Sequence, residues 1–122
     1  MPATTTPVEF AFVPHGASFA RTYESIIDES GLAVTNLTGW TFAGAIKTTI
    51  ADTDGDALVS IADGSFSKLA GKAGFILPPA TMAVLTIGIE YFFAVKASSP
   101  SGFVDTIDEL RLQITKSARQ SI

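Results

Sequence analysis

The sequence predicts an all-β protein, built as a sandwich or a barrel, and three observations carry that prediction. Apolar and polar residues alternate through most of the 122 residues, which places one set of side chains on the buried face of a sheet. Turn residues recur about every ten positions, a spacing typical of sandwiches and barrels. Only one stretch has a helical pattern. We expect one domain over residues 8–117, an extended N-terminal arm at 1–7 and a C-terminal tail at 118–122.

The first two predicted strands flank a turn with the sequence "PHG". The segment "VEFAFV" places Val8, Phe10 and Phe12 on one face, and "ASFARTYESI" follows the turn as the second strand. Pro14 and Gly16 supply the bend between them. We expect both strands at an edge or a corner of a sheet.

The predicted central strand follows a "DESG" turn and begins within "LTGWTFAGAIKTTI". Trp40, Phe42, Ile46 and Ile50 fall on its inward face, and Gly44 lies in the middle of that face. A glycine inside a strand marks a bulge or the close approach of a large neighbour. We expect a phenylalanine ring to cross over this glycine.

Three shorter elements follow. "ALVSIA" is a short strand, "FSKLAGKAGFIL" is a pair of strands hinged at Gly71 and Gly74, and "PPATMAVLTIG" is a short helix. Pro79 suits the first turn of this helix and Gly88 can end it. We expect the helix to connect the two sheets at one end of a sandwich.

The last two predicted strands form a hairpin around the loop "SSPSG". "IEYFFAVKA" places Ile89, Tyr91, Phe93 and Val95 on one face, and "FVDTIDELRLQITK" alternates in the same way. A loop this short joins antiparallel neighbours. We expect this hairpin to form the centre of the core together with the strand that begins at Trp40.

Composition excludes several classes of function. The chain is 47% hydrophobic, only 16% charged and has a net charge of −4, so it lacks the clustered cations that bind nucleic acid. It contains no cysteine, and it has neither an apolar run that could span a membrane nor an N-terminal segment that resembles a signal peptide. We therefore expect no nucleic-acid partner, no membrane partner and no secretion by a signal peptide. Its weakly charged surface is either covered in part by other subunits or neutral and solvated.

The residues that could support catalysis are few. His15 is the only histidine and sits in a predicted turn, and no G-x-S-x-G motif offers a serine nucleophile. Asp105, Asp108 and Glu109 form an acidic cluster, but a pair of catalytic carboxylates must flank a sugar cleft, for which a small sandwich rarely has room. We expect no catalytic residue.

An acidic loop has the spacing of a calcium site. Oxygen-bearing side chains stand at positions 1, 3, 5, 9 and 12 of that spacing: Asp52, Asp54, Asp56, Ser60 and Asp63. Ala57 occupies position 6, where a calcium loop requires glycine. We favour an acidic turn without metal over a calcium site, and we expect no other cofactor.

Phe66, Phe92 and Phe103 are candidates for exposed aromatic side chains that stack on sugar rings, whereas the lone Trp40 falls on the core face. These three rings are the basis for an alternative function, that of a carbohydrate-binding or receptor-binding module.

A series of short motifs resembles small structural proteins of tailed phages and prophages. In order they are a "G-x-S-F" strand start, a "D-x-S-G" turn, "NLTGWTF", "PPATMAVL", "Y-F-F-A-V" and "G-F-V-D", which together cover about residues 16–116. The pattern is similar to the N-terminal domain of baseplate upper proteins. The resemblance implies an immunoglobulin-like antiparallel sandwich without catalytic activity. It also implies a place in the virion, as a tail or baseplate adaptor or as a decoration of the head.

Such a protein would assemble through surface complementarity with other virion proteins and with copies of itself. The residues that we expect to contact neighbouring subunits lie in the arm and at the C-terminal end: Thr4, Thr5, Thr6, Pro7, Val8, Lys116, Arg119 and Ile122.

Overall fold

The computed structural model describes residues 10–24, 26–48, 57–69 and 71–116. Within these ranges eight strands and one short α-helix follow one another along the chain. They are β1 (Phe10–Pro14), β2 (Phe19–Tyr23), β3 (Thr41–Lys47), β4 (Val59–Ile61), β5 (Ser67–Leu69), β6 (Lys72–Leu77), α1 (Pro79–Met82), β7 (Glu90–Ser98) and β8 (Val104–Thr115). A 3₁₀ helix at Asp63–Ser65 lies between β4 and β5.

The strands form two sheets that pack face to face. One sheet has five strands in the order β1-β8-β7-β3-β4, and the other has three in the order β2-β6-β5. β1 and β2 are edge strands, as predicted. The strand pairs in both sheets are antiparallel with one exception, because β1 runs parallel to β8.

This strand order matches a variable-type immunoglobulin domain. In that fold the G, F, C and C′ strands lie side by side in one sheet, and B, E and D in the other. β8, β7, β3 and β4 take the first set of places, and β2, β6 and β5 take the second. The chain is therefore an immunoglobulin-like β-sandwich with one short helix, as predicted.

Aromatic rings join the two sheets where immunoglobulin domains carry a disulfide. That disulfide links the B and F strands, and this chain has no cysteine. Instead, Phe19 on β2 and Phe93 on β7 meet edge to face with ring centroids 5.2 Å apart. Phe75 on β6 packs against both rings, at 5.9 and 5.7 Å. Edge-to-face packing of this kind adds to the stability that burial of the rings provides.

The helix connects β6 in one sheet to β7 in the other, as predicted, but it is shorter than the pattern indicated. It ends at Met82, because the chain then returns to β8 and hydrogen-bonds to it: the Gly88 N–H donates to the carbonyl of Ile114 at 2.9 Å. Just beyond, the hydroxyl of Tyr91 accepts the backbone N–H of Thr86 at 2.8 Å. A tyrosine that bonds back to this corner is a hallmark of immunoglobulin-like sandwiches.

The central strand is confirmed, although its glycine meets a different neighbour. Trp40, Phe42 and Ile46 are buried on its inward face, and Ile50 lies outside the described residues. A Cβ added to Gly44 would lie 2.9 Å from Cδ1 of Ile61, so the large neighbour is an isoleucine and not a phenylalanine ring. The reason is register, since these two residues are direct partners in the β3–β4 pair.

Two details of the predicted strands are wrong. Phe12 lies on the outer face of β1 and is 62% exposed, while Val13 is buried, because Val13 pairs in register with the buried Ile114. Gly71 does form the predicted hinge, with a φ of 79°, but Gly74 lies inside β6 and is no hinge.

The hairpin of β7 and β8 is confirmed and carries much of the core. Tyr91, Phe93 and Val95 are buried on the inward face of β7. Ile89 precedes the strand and is 46% exposed, so the inward face begins at Tyr91 and not, as predicted, at Ile89.

Candidate functional site

The residues predicted to contact neighbouring subunits lie largely outside the described part of the chain. Thr4, Thr5, Thr6, Pro7, Val8, Arg119 and Ile122 all belong to undescribed ranges. Lys116 is described, is exposed and directly follows β8. It is the last described residue of the chain.

The predicted calcium loop is only partly described. Asp52, Asp54 and Asp56 lie outside the described residues. Asp63 serves the fold: one of its oxygens accepts the backbone N–H of Phe42 at 2.8 Å, and its carboxylate lies 2.8 Å from the ammonium of Lys68. The hydrogen bond from Lys68 is the main reason that the pKa of Asp63 is lowered. Among the described residues, no three His, Asp or Glu side chains are grouped closely enough to hold a metal ion.

The second acidic cluster is divided between the two faces of β8. Asp108 faces inward and is 8% exposed, whereas Glu109 points to solvent from the opposite face of β8. Asp108 accepts two hydrogen bonds from the guanidinium of Arg21, at 3.0 and 3.3 Å, and a third from the hydroxyl of Tyr23 at 2.7 Å. Burial, with the hydrogen bond to Asp108, raises the pKa of the Tyr23 phenol well above its usual range. This cluster joins β2 to β8 across the two sheets.

The remaining candidates from the sequence are separated in space. His15 lies in the turn after β1, where its backbone N–H donates to the carbonyl of Thr115 at 2.8 Å. The expectation that Phe66 is exposed is wrong, because it is buried and stacks on Phe42 with ring centroids 5.5 Å apart. Phe92 and Phe103 are half-buried. None of the three is a fully exposed platform for a sugar ring.

An open hollow of about 500 Å³ lies between the loop that follows β2 and the β7–β8 hairpin loop. We call it the loop-end hollow. Its walls combine polar and apolar residues and include Asp28, Glu29, Asn36 and Trp40 from the first loop and Pro100 and Ser101 from the hairpin. The sequence marked both loops as turns but gave no signal that they meet.

A chain of hydrogen bonds ties the two walls together. The Phe103 N–H donates to the Ser99 hydroxyl at 3.0 Å, and the hydroxyls of Ser99 and Ser101 are 2.9 Å apart. Ser101 in turn donates to the carboxylate of Glu29. Because Ser101 uses its proton on Glu29, Ser99 must donate to Ser101, so every step points toward the carboxylate.

Apolar packing adds a second tie between these walls. A Cβ on Gly39 would lie 2.9 Å from Cγ of Pro100, so the proline ring sits directly against the glycine backbone. Gly39 has a φ of 82°, a conformation that favours glycine. The hollow is thus framed by loops that are held in place on both sides.

Comparison with known proteins adds no relative: no protein-family model and no curated protein sequence matches this chain. In the described part of the chain no helix is long and apolar enough to span a membrane.

Proposed function

We propose that this chain is a non-enzymatic structural protein of a tailed-phage virion, which assembles by docking on copies of itself and on other virion proteins. One observation carries the docking function: large apolar side chains are exposed on a protein in which only 16% of residues are charged. Leu69 is 79% exposed, Ile76 is 71% exposed and Phe12 is 62% exposed. The virion as its place rests on the motif resemblance.

Three exposed apolar residues are linked by backbone pairing to the last residues of β8, and together we call them the apolar patch: Phe12, Ile87 and Ile89. Ile87 bridges to Ile114 of β8. Ile89 directly precedes Glu90, which pairs with Gln113, and Gln113 also pairs with Phe12. Exposed apolar side chains in one region of a surface are typical of protein–protein contacts.

The apolar patch lies at the end of the molecule where the described chain stops. β8 ends at Thr115, and Lys116, one of the residues predicted to contact neighbouring subunits, follows it. The separation of His15 from the inward-facing Asp108 supports a function without catalysis.

Light scattering of the purified chain tests assembly. We expect a discrete oligomer for the full-length chain, and monomers for a chain without residues 1–7 and 118–122 and for Ile89→Lys, which places a charge in the patch. Ala20→Lys is the matched control, because Ala20 is exposed on β2 of the other sheet and is not one of the large apolar residues. A monomeric full-length chain would contradict assembly through these surfaces.

The place in the virion needs a separate test. An antibody raised against the domain is expected to detect the chain in phage particles that have been induced from the host and banded on a density gradient. If the chain is expressed during induction but is missing from the banded particles, it is not a virion component.

A further inference from the structure

We propose that the loop-end hollow binds a hydroxyl-rich ligand, a sugar residue of a glycan. This binding site goes beyond the assembly function and does not depend on it. The hollow presents several hydrogen-bonding groups, has a nearly buried indole in its wall and is framed by loops that are held in place.

Two carboxylates supply open acceptors. One oxygen of Asp28 accepts the backbone N–H groups of Ser30 and Leu32 at 2.9 and 3.0 Å, which leaves its second oxygen for a ligand. Glu29 accepts Ser101 through one oxygen and has the other open. Within the described residues, neither carboxylate forms an ion pair, whereas Glu24, Asp63, Glu90 and Asp108 each do.

An amide supplies donors beside those acceptors. The side-chain oxygen of Asn36 accepts both the backbone N–H of Thr38, at 3.0 Å, and its hydroxyl, at 2.7 Å. These two bonds fix the orientation of the amide, so its NH₂ group is directed away from the Thr38 turn. Asn36 lines the hollow, so this amide is a candidate donor to a ligand there.

The indole of Trp40 is a further possible donor in the wall of the hollow. Trp40 is 5% exposed and lines the hollow. The indole N–H makes no hydrogen bond to any described residue. It is also not fully buried, so it is accessible to solvent. A tryptophan this deeply buried normally finds a partner for its N–H. Because Trp40 lines the hollow, an acceptor atom on a ligand bound there is a candidate for that partner in place of solvent.

The mixture of groups selects the ligand class. A cationic side chain brings donors only and would leave the amide and the indole N–H unmatched, and an anion would meet two carboxylates. A hydroxyl both donates and accepts, so neighbouring hydroxyls of a sugar can donate to Asp28 and Glu29 while they accept from Asn36 and Trp40. The volume of about 500 Å³ lies within the usual range of small-ligand sites.

The loops are ordered before any ligand arrives. The Ser99–Ser101–Glu29 hydrogen bonds and the contact of Pro100 with Gly39 hold the two walls together. A ligand therefore does not have to order these loops, which is the usual cost of binding to a mobile surface.

Trp40 is the only tryptophan of the chain, so its fluorescence reports directly on the hollow. The probes are D-glucose, D-galactose, N-acetyl-D-glucosamine and L-rhamnose, each titrated to about 100 mM to detect millimolar dissociation constants. L-argininamide serves as the cationic probe. We expect at least one sugar to give a saturable change in Trp40 emission.

Isosteric variants locate the binding. Asp28→Asn, Glu29→Gln and Asn36→Asp each keep an oxygen for the existing hydrogen bonds of the loops but change the group offered to the ligand. We expect each to weaken sugar binding at least tenfold, and Glu109→Gln, on the exposed outer face of β8, to leave it unchanged. Thermal unfolding monitored in parallel verifies that the variants fold.

Three results would overturn the proposal. They are no response to any of the four sugars, a sugar response that survives all three isosteric variants, or a response to L-argininamide alone that disappears at high salt. None of these results bears on oligomerisation, which light scattering measures separately.

Discussion

Replacing Asp108 by alanine is expected to destabilise the fold more than any substitution of an exposed carboxylate. Asp108 is 8% exposed and accepts hydrogen bonds from Arg21 and Tyr23, so its removal breaks the polar contact between β2 and β8. Removing one partner of a buried ion pair costs about 3–5 kcal/mol. The Arg21 side chain is 30% exposed, so we expect a loss near the lower end, about 3 kcal/mol.

A double-mutant cycle separates the tyrosine from the arginine. Tyr23→Phe removes a single hydrogen bond to a charged acceptor, which is worth about 1.5–3 kcal/mol. In an Asp108→Ala background that bond no longer exists, so Tyr23→Phe should then cost much less. We expect a coupling energy of about 1–2 kcal/mol between the two positions.

The assay is urea unfolding at neutral pH, followed by the fluorescence of Trp40. Glu109→Ala is the control, because this neighbouring carboxylate points to solvent and should change stability by no more than about 0.5 kcal/mol. If Asp108→Ala cost less than about 1 kcal/mol, or if Tyr23→Phe cost the same with and without Asp108, the cluster would not stabilise the fold as we argue.

The same cluster predicts a dependence on alkaline pH. The pKa of Tyr23 is raised in the folded state, so the folded protein keeps this proton after the unfolded chain has lost it. Stability is therefore fully present below about pH 10 and is lost as the pH rises above that value. Tyr23→Phe should flatten this decline in a series of urea midpoints, and an unchanged decline would contradict the raised pKa.

Three further predictions concern single positions, and urea unfolding checks each of them. Tyr91→Phe should cost about 1–2 kcal/mol, because it leaves a backbone N–H of the β6–β7 connection without its partner; a loss below about 0.5 kcal/mol would exclude this role. Gly71→Ala should destabilise the protein by roughly 2 kcal/mol more than Gly16→Ala. Both glycines have a positive φ, but only at Gly71 would an added Cβ lie 2.5 Å from a carbonyl oxygen. Equal losses of stability in the two variants would contradict this clash. Because the pKa of Asp63 is lowered in the folded state, its contribution to the free energy of unfolding is present above about pH 4 and is lost as the pH falls. Asp63→Asn should therefore be less stable than the wild type near neutral pH. Its stability should also decline less steeply in acid.

Some elements of this protein follow from the sequence alone. β7 and β8 alternate so regularly that only one face of each strand can enter a core, and the structure buries that face at Phe93 and Leu110. The turns at Asp28 and Gly71 are local as well, because they depend on side-chain hydrogen bonds and on backbone conformations that are encoded within a few residues. Such features need no knowledge of distant partners.

Other elements depend on which strands become neighbours. The segment that contains Phe12 and Val13 is apolar on both faces, so periodicity could not choose between them, and pairing with β8 decided. The helix that begins at Pro79 stops early because the following chain hydrogen-bonds to β8. The residues of the helix itself do not indicate that contact.

The clusters that we connect with stability and binding are the least visible in the sequence. Arg21 and Asp108 are 87 residues apart along the chain, and Glu29 and Ser101 are 72 apart. Local propensity and alternation act over a few residues, whereas these contacts exist only once two sheets have paired and packed. The sequence by itself thus determined the strands and their turns. The tertiary structure decided which face of β1 is buried, and it brought together the groups of the loop-end hollow.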